Sequence, residues 1–192
     1  ATPLDLVQQF AGTLHPSSSR LVVLGSTSAY DLGDSLEYPP NWIDETAPID
    51  LTKPRVQGEE FLREHCGATV LRVAGIYGPG RNPLDWIRKG RVGPSRKYVN
   101  LIHVDDLART CLRALESGTP GEIYNVSDGI PRTWRDICRV AEERWHITPT
   151  QKGDRPDAGK RVTNSKLTQK LGYSIRHPDL LAELDRLNQA HP

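Results

Sequence analysis

The 192-residue chain carries 25 Lys and Arg against 24 Asp and Glu, so its formal charge of +1 sets up no global field to attract nucleic acid or an anionic membrane. This length suits a single domain, 1–192, and excludes two generous ones. No apolar run reaches the roughly 18 to 20 residues of a membrane span, ATPLDLVQQF has no signal-peptide pattern, and Cys66, Cys111 and Cys138 lack metal or redox spacing, so a reduced, cytoplasmic setting is expected.

Thr2-Pro3-Leu4-Asp5 predicts a helix opening, with Thr2 as N-cap, Pro3 in the first turn and Asp5 as capping-box partner. Leu4, Val7, Phe10 and Ala11 mark its inner face up to His15-Pro16. The continuous apolar run Leu21 to Leu24 reads as a strand over 21–25, buried on both faces of a parallel sheet. Gly25, Ser26, Thr27 and Ser28 then fall at its carboxyl end, where open α/β sheets place their ligand crevice. Prolines 39, 40, 48 and 54 make 31–54 a long irregular excursion, of the kind that is usually functional.

A helix follows over 55–65 and a buried strand over 69–73, which opens into the turn Tyr77-Gly78-Pro79-Gly80. A helix over 82–89, a basic loop over 91–97 and a short strand over 98–102 come next. Asp105 or Asp106 caps a helix running to about residue 116, and 122–126 is a further strand. Thr133-Trp134-Arg135-Asp136 is a second capping box, opening a helix to 145. After the charged loop 150–160, Asn164 caps a short helix ending near Leu171, and a last amphipathic helix carries Leu180, Leu181, Leu184 and Leu187. Strands and helices thus alternate as in a parallel sheet with crossover helices over 1–130, followed by a helical cap over 131–192. The mean hydropathy of -0.54 is low for a doubly covered sheet, so loops take a large share or a partner chain covers part of the surface.

Several residues carry chemistry. The hydroxyls of Ser26, Thr27 and Ser28 can hold a carbonyl or phosphate, or satisfy local backbone. Arg72, inside an apolar strand, demands either an acidic partner or a place at the site mouth. His103 beside Asp105 and Asp106 has no companion at metal-ligand spacing, so no metal is expected. Arg88, Lys89, Arg91, Arg96 and Lys97 form a basic patch, read as a solvated face or a loop for a phosphorylated ligand, and Arg155 is a second phosphate candidate.

Taken in order, LVVLGSTSAYD, NWIDETAPIDLTKPRVQGEEFL, TVLRVAGIYGPGR, YVNLIHVDDLARTCLRAL, GEIYNVSDG and RVTNSKLTQKLGY resemble the NAD-dependent epimerase/dehydratase family, the extended or atypical branch of the short-chain dehydrogenases/reductases. The resemblance covers the family's carboxyl-end portion, from Leu21 to Gly172. It implies a Rossmann fold binding NAD or NADP, a small carboxyl-end substrate region, a small-molecule substrate such as a nucleotide sugar, and hydride transfer or epimerisation in a homo-oligomer. Ser26 takes the family's catalytic Ser/Thr position, with Thr27 or Ser28 as alternatives, while the Tyr and Lys positions fall on Leu51 and Arg55. Gly25, Ser26, Arg55, Arg72 and Gly75 match the cofactor side, and Gly78, Asn125 and Arg155 the substrate side.

The departures are equally specific. Leu51 exchanges no proton, Arg55 stays charged, and no Y-x-x-x-K or G-x-x-G-x-x-G occurs in the chain. The expected fold is therefore an incomplete Rossmann-like parallel sheet lacking its amino-terminal dinucleotide-binding strands, with small carboxyl-end substrate elements. Such a chain lacks the pyrophosphate cradle and the proton-transfer tyrosine and would be a poor catalyst, while a full-length relative could still bind NAD(P) or draw an acid from Asp44 or Glu45. The alternative is a non-catalytic scaffold whose exposed sheet edge pairs with a partner chain.

Overall fold

The computed structural model describes residues 3–14, 20–33, 35–151 and 157–189. Helix α1 (Leu4–Thr13) begins after Pro3, and the Thr2 cap lies outside the described residues. Strand β1 (Val22–Ser26) runs into a 3-10 turn, Thr27–Tyr30, and the excursion that follows contributes β2 (Trp42–Ile43). Helix α2 (Pro54–Cys66) opens with proline in its first turn and ends at Gly67, whose φ of 63° suits a residue without a Cβ. Then come β3 (Thr69–Val73), β4 (Gly75–Tyr77), α3 (Pro83–Arg88), β5 (Tyr98–Val99), β6 (Leu101–His103) and α4 (Val104–Ser117). The chain continues through β7 (Ile123–Val126), β8 (Arg132–Thr133), α5 (Trp134–Trp145), β9 (Arg161–Val162), α6 (Ser165–Gln169) and α7 (Leu180–Gln189).

The expectation of an incomplete sheet is corrected by the strand pairing. β1, β3 and β7 form one continuous parallel sheet in that order, with Val22 opposite Thr69 and Val70 opposite Ile123. Successive side chains alternate between its faces, and helices cover both. Gly25 sits against Glu59 of α2 on one face, while Val22 joins the core that Leu107 and Ala114 of α4 build on the other. Helix α1 packs on α2.

β1 itself differs from the sequence reading. It is the outer strand, half-buried along its length, with Leu24 55% exposed. An apolar run has the same composition at an edge as at a sheet centre, so the pattern alone cannot separate the two. The 98–102 segment likewise splits in two. Asn100 breaks it, its side chain donating to the Lys160 carbonyl and accepting from the Val162 amide. A second core lies on the far side of this break, where Tyr77, Leu84, Leu101, Ile137 and Leu184 pack together.

The caps divide. Thr133 accepts from the Asp136 amide at 3.1 Å, as the capping box predicts. α4 is capped by His103, whose Nδ1 accepts from the Asp105 amide, and not by either aspartate. Asn164 makes no cap bond and donates instead to the Ser127 carbonyl. Among the described residues, no helix is long and apolar enough to cross a membrane.

Candidate functional site

A cleft of about 680 Å³ opens at the carboxyl ends of β1 and β3. Thr27 and Tyr30, just past β1, and Gly75, just past β3, line its inner side. Its outer walls come from the excursion after β1 and from residues 97–101 and 157–160, with Trp86 and Trp134 lining it as well. Ion pairs between Lys97 and Asp157, and between Lys160 and Asp31, tie these walls together. Tyr98 also faces the cleft beside Tyr38, and burial is the main cause that raises its phenol above the usual value.

The excursion is fixed to the carboxyl-end part of the chain by backbone. Ala158 donates to the Ser35 carbonyl, Arg161 Nε donates to the Pro40 carbonyl, and β2 pairs in parallel with β9. A long loop keeps a defined shape only when its polar backbone groups find such partners.

Beside the cleft, Arg55 Nη2 donates to Ser28 Oγ at 2.6 Å, and its Nε lies 3.2 Å from Glu59 Oε1. Ser26 Oγ accepts from the Ser28 amide at 3.2 Å, so the side chain closest to the resemblance's catalytic position shapes the turn that presents Ser28. Burial raises the Glu59 carboxyl above its ordinary range, against the lowering pull of Arg55 and Arg72.

Gly25 is the glycine this arrangement needs most. A Cβ there would stand 2.5 to 2.7 Å from the Glu59 carboxyl group. Gly25→Ala is expected to cost about 1–3 kcal/mol by overpacking, read as a lower urea midpoint with unchanged slope.

The remaining candidates separate. Arg72 is 1% exposed, with Nη2 on Glu60 Oε1 at 2.8 Å, Nη1 on the Tyr30 hydroxyl at 3.2 Å and Nε 3.9 Å from Glu59. Asn125 is fully buried and accepts from the Tyr30 hydroxyl at 2.7 Å. Both therefore sit beneath the cleft, holding Tyr30. Gly78, with φ 145°, lies against Val104 and His103 and not in the cleft lining. Leu51 is 55% exposed on the surface. Glu45 accepts from the Asn125 amide and Asp44 from Thr46, so each is engaged in local structure. Arg155 lies outside the described residues.

Of the basic patch, Arg88 pairs with Asp85, Arg96 stacks 4.1 Å over the Tyr38 ring and Lys97 meets Asp157. Sequence reasoning missed Asp31, Asn100, Asp157 and Lys160 as cleft residues. The signals were the 31–54 excursion, read as functional without naming Asp31, and the charged, glycine-containing 150–160 stretch, read simply as a loop.

No protein-family model matches the chain. Protein YeeZ of Escherichia coli strain K12 is 28% identical over 171 residues, covering 84% of this chain, which spans 60% of that relative's length. A functionally unknown conserved protein from Silicibacter pomeroyi superposes with a TM-score of 0.78 at 27% identity, over 97% of this chain and 71% of that one. UDP-glucuronic acid 4-epimerase from Bacillus cereus, solved with UDP-glucuronic acid and NAD, gives 0.73 at 20% identity, over 98% and 68%.

These likenesses correct two further expectations. The resemblance to the family's carboxyl-end portion, bounded by Leu21 and Gly172, is too narrow, because the shared Rossmann-like fold runs over 97–98% of the chain, α1 and α7 included. The expectation of an impaired catalyst, drawn from Leu51 and Arg55, finds no support in the fold, which NAD-bound enzymes share over 97–98% of this chain while it spans 67–69% of theirs.

Proposed function

We propose that this chain is an NAD(P)-dependent enzyme of the epimerase/dehydratase type, acting on a nucleotide sugar. The observation that carries the reading is the cleft at the carboxyl ends of β1 and β3, with Thr27, Tyr30 and Gly75 on its inner side and Ser28 and Arg55 beside it. Open parallel sheets bind their ligands at that end. The solved complex of the Bacillus cereus epimerase with UDP-glucuronic acid and NAD, which shares the fold, supports the choice of ligands.

The residues fit the nicotinamide-ribose end of the cofactor. Arg55 is partly exposed, already bonded to a hydroxyl, and steadied by Glu59, so its guanidinium can take ribose hydroxyls at the position where the family resemblance implies a lysine. Ser28 offers a hydroxyl at the same point. When bound, the nicotinamide ring accepts and returns a hydride at a sugar carbon. Lys97 and Lys160, each paired across the cleft wall, can turn to a diphosphate by exchanging one anion for another. The Thr27 hydroxyl and the Tyr98 phenol, both donors at neutral pH, hold the sugar hydroxyls.

Titration of NADH and NADPH into the chain, followed by tryptophan fluorescence, is expected to give saturable binding. Arg55→Ala should weaken it by about 10- to 100-fold, the worth of one charge-assisted contact. A UDP-sugar should then change the absorbance of the bound nicotinamide. A flat titration with both cofactors would overturn the reading.

A further inference from the structure

At the end of β6 the fold assembles a cluster that sequence spacing does not reveal. His103 is buried there, and His177, from the segment after α6, stacks on it with ring centroids 4.0 Å apart and planes 30° from parallel. Glu183, buried in the first turn of α7, brings Oε1 to 3.0 Å from His177 Nδ1. One ligand atom from each of the three lies within 4.8 Å of the other two. The Tyr77 ring stands edge-on to His103 at 5.2 Å.

Two further features mark the cluster as more than packing. His177 Nδ1 is a buried ring nitrogen without a hydrogen-bond partner, despite its short distance to Glu183, so the approach is off the hydrogen-bond direction. On the other side, Asp105 Oδ2 lies 3.9 Å from His177 Nε2 and 4.0 Å from His103 Nδ1. His103 Nδ1 already accepts from the Asp105 amide, which leaves Nε2 as the ring nitrogen it can offer an ion.

We propose that His103, His177 and Glu183 bind one divalent transition-metal ion, Zn2+ by preference, and so fasten α7 to the end of β6. Two imidazoles and a carboxylate are an established Zn2+ donor set, leaving a fourth position for water. The exposed Arg186 guanidinium, 2.6 Å from Glu183 Oε1, competes with the ion for that carboxylate. The site is independent of the cofactor reading, because none of its three ligands lines the cleft.

The test is a Co2+ titration of the chelator-treated full chain, read in visible absorption, followed by Zn2+ displacement and calorimetry. One ion per chain is expected, with visible bands that Zn2+ abolishes. His177→Ala and Glu183→Gln should each weaken Zn2+ by at least about 10-fold, the low end of what losing even an outer-shell partner costs. His65→Ala and His146→Ala, which remove exposed histidines elsewhere, should leave binding unchanged. Arg186→Ala should tighten it several-fold. Circular dichroism checks the fold of each variant, and if His177→Ala does not fold, the near-isosteric Glu183→Gln decides alone. Absence of visible bands, or bands indifferent to Glu183→Gln, would overturn the assignment.

Discussion

Asp106→Ala is expected to lower the unfolding free energy by about 4 kcal/mol, the largest single loss on the carboxyl-end side of the fold. Asp106 is fully buried and accepts three hydrogen bonds, from the Tyr173 hydroxyl at 2.6 Å and from the Arg176 and His177 amides at 2.9 Å each. All three donors belong to the segment between α6 and α7, so one carboxylate anchors that connection to the first turn of α4. Burial, and then the bond to Asp106, pushes the Tyr173 phenol well above its ordinary value, so it remains a donor at any working pH. Alanine would leave each donor short of an acceptor, at about 1–3 kcal/mol apiece before relaxation. Urea unfolding measures the loss, and amide exchange locates it: Arg176 and His177 should exchange faster than amides of β3. A change below about 1 kcal/mol would mean that water replaces the carboxylate and that the anchor is redundant.

Arg72→Leu is expected to cost about 3–5 kcal/mol, because it removes one partner from a buried ionic group and strands the others. Glu60 keeps Arg63 at 2.7 Å, but Glu59, already raised by burial, loses one of its two cations. The pH dependence follows from that direction. A carboxyl whose folded pKa lies above its unfolded value binds its proton more tightly when folded. Its protonated form therefore supports the fold at low pH, and that support is lost as pH rises through the folded value. The deficit of Arg72→Leu should be smaller in mild acid than at neutral pH. Adding Glu59→Gln should return part of the loss at neutral pH and flatten its pH dependence. An equal deficit at both pH values would show that Glu59 does not sense Arg72.

These two networks also mark what the amino-acid pattern can and cannot disclose. Apolar runs and glycine stops place the strands 22–26, 69–73 and 123–126 and the helices between them, because those signals are local. The Thr133–Asp136 capping box is legible for the same reason. Arg72 announces itself as a buried charge, but Glu60 as its partner depends on how α2 lies across the sheet. Asp105 and Asp106 read alike as capping residues, although one is exposed and the other is wholly buried. Lys160 with Asp31, and His103 with His177, meet only after the chain has returned from distant turns. No spacing rule encodes such meetings, and the cleft is built mostly from them.

The cleft's outer walls join residues 129 positions apart, Asp31 and Lys160. At a ribosomal pace of about 5 to 20 residues per second, the first of these leaves the exit tunnel some 6 to 26 s ahead of its counterpart. Over that interval β1 can already find β3, whose residues follow about 2 to 9 s behind it. The mouth of the cleft, by contrast, waits for β9, and a nascent chain short of Val162 has the sheet without that wall.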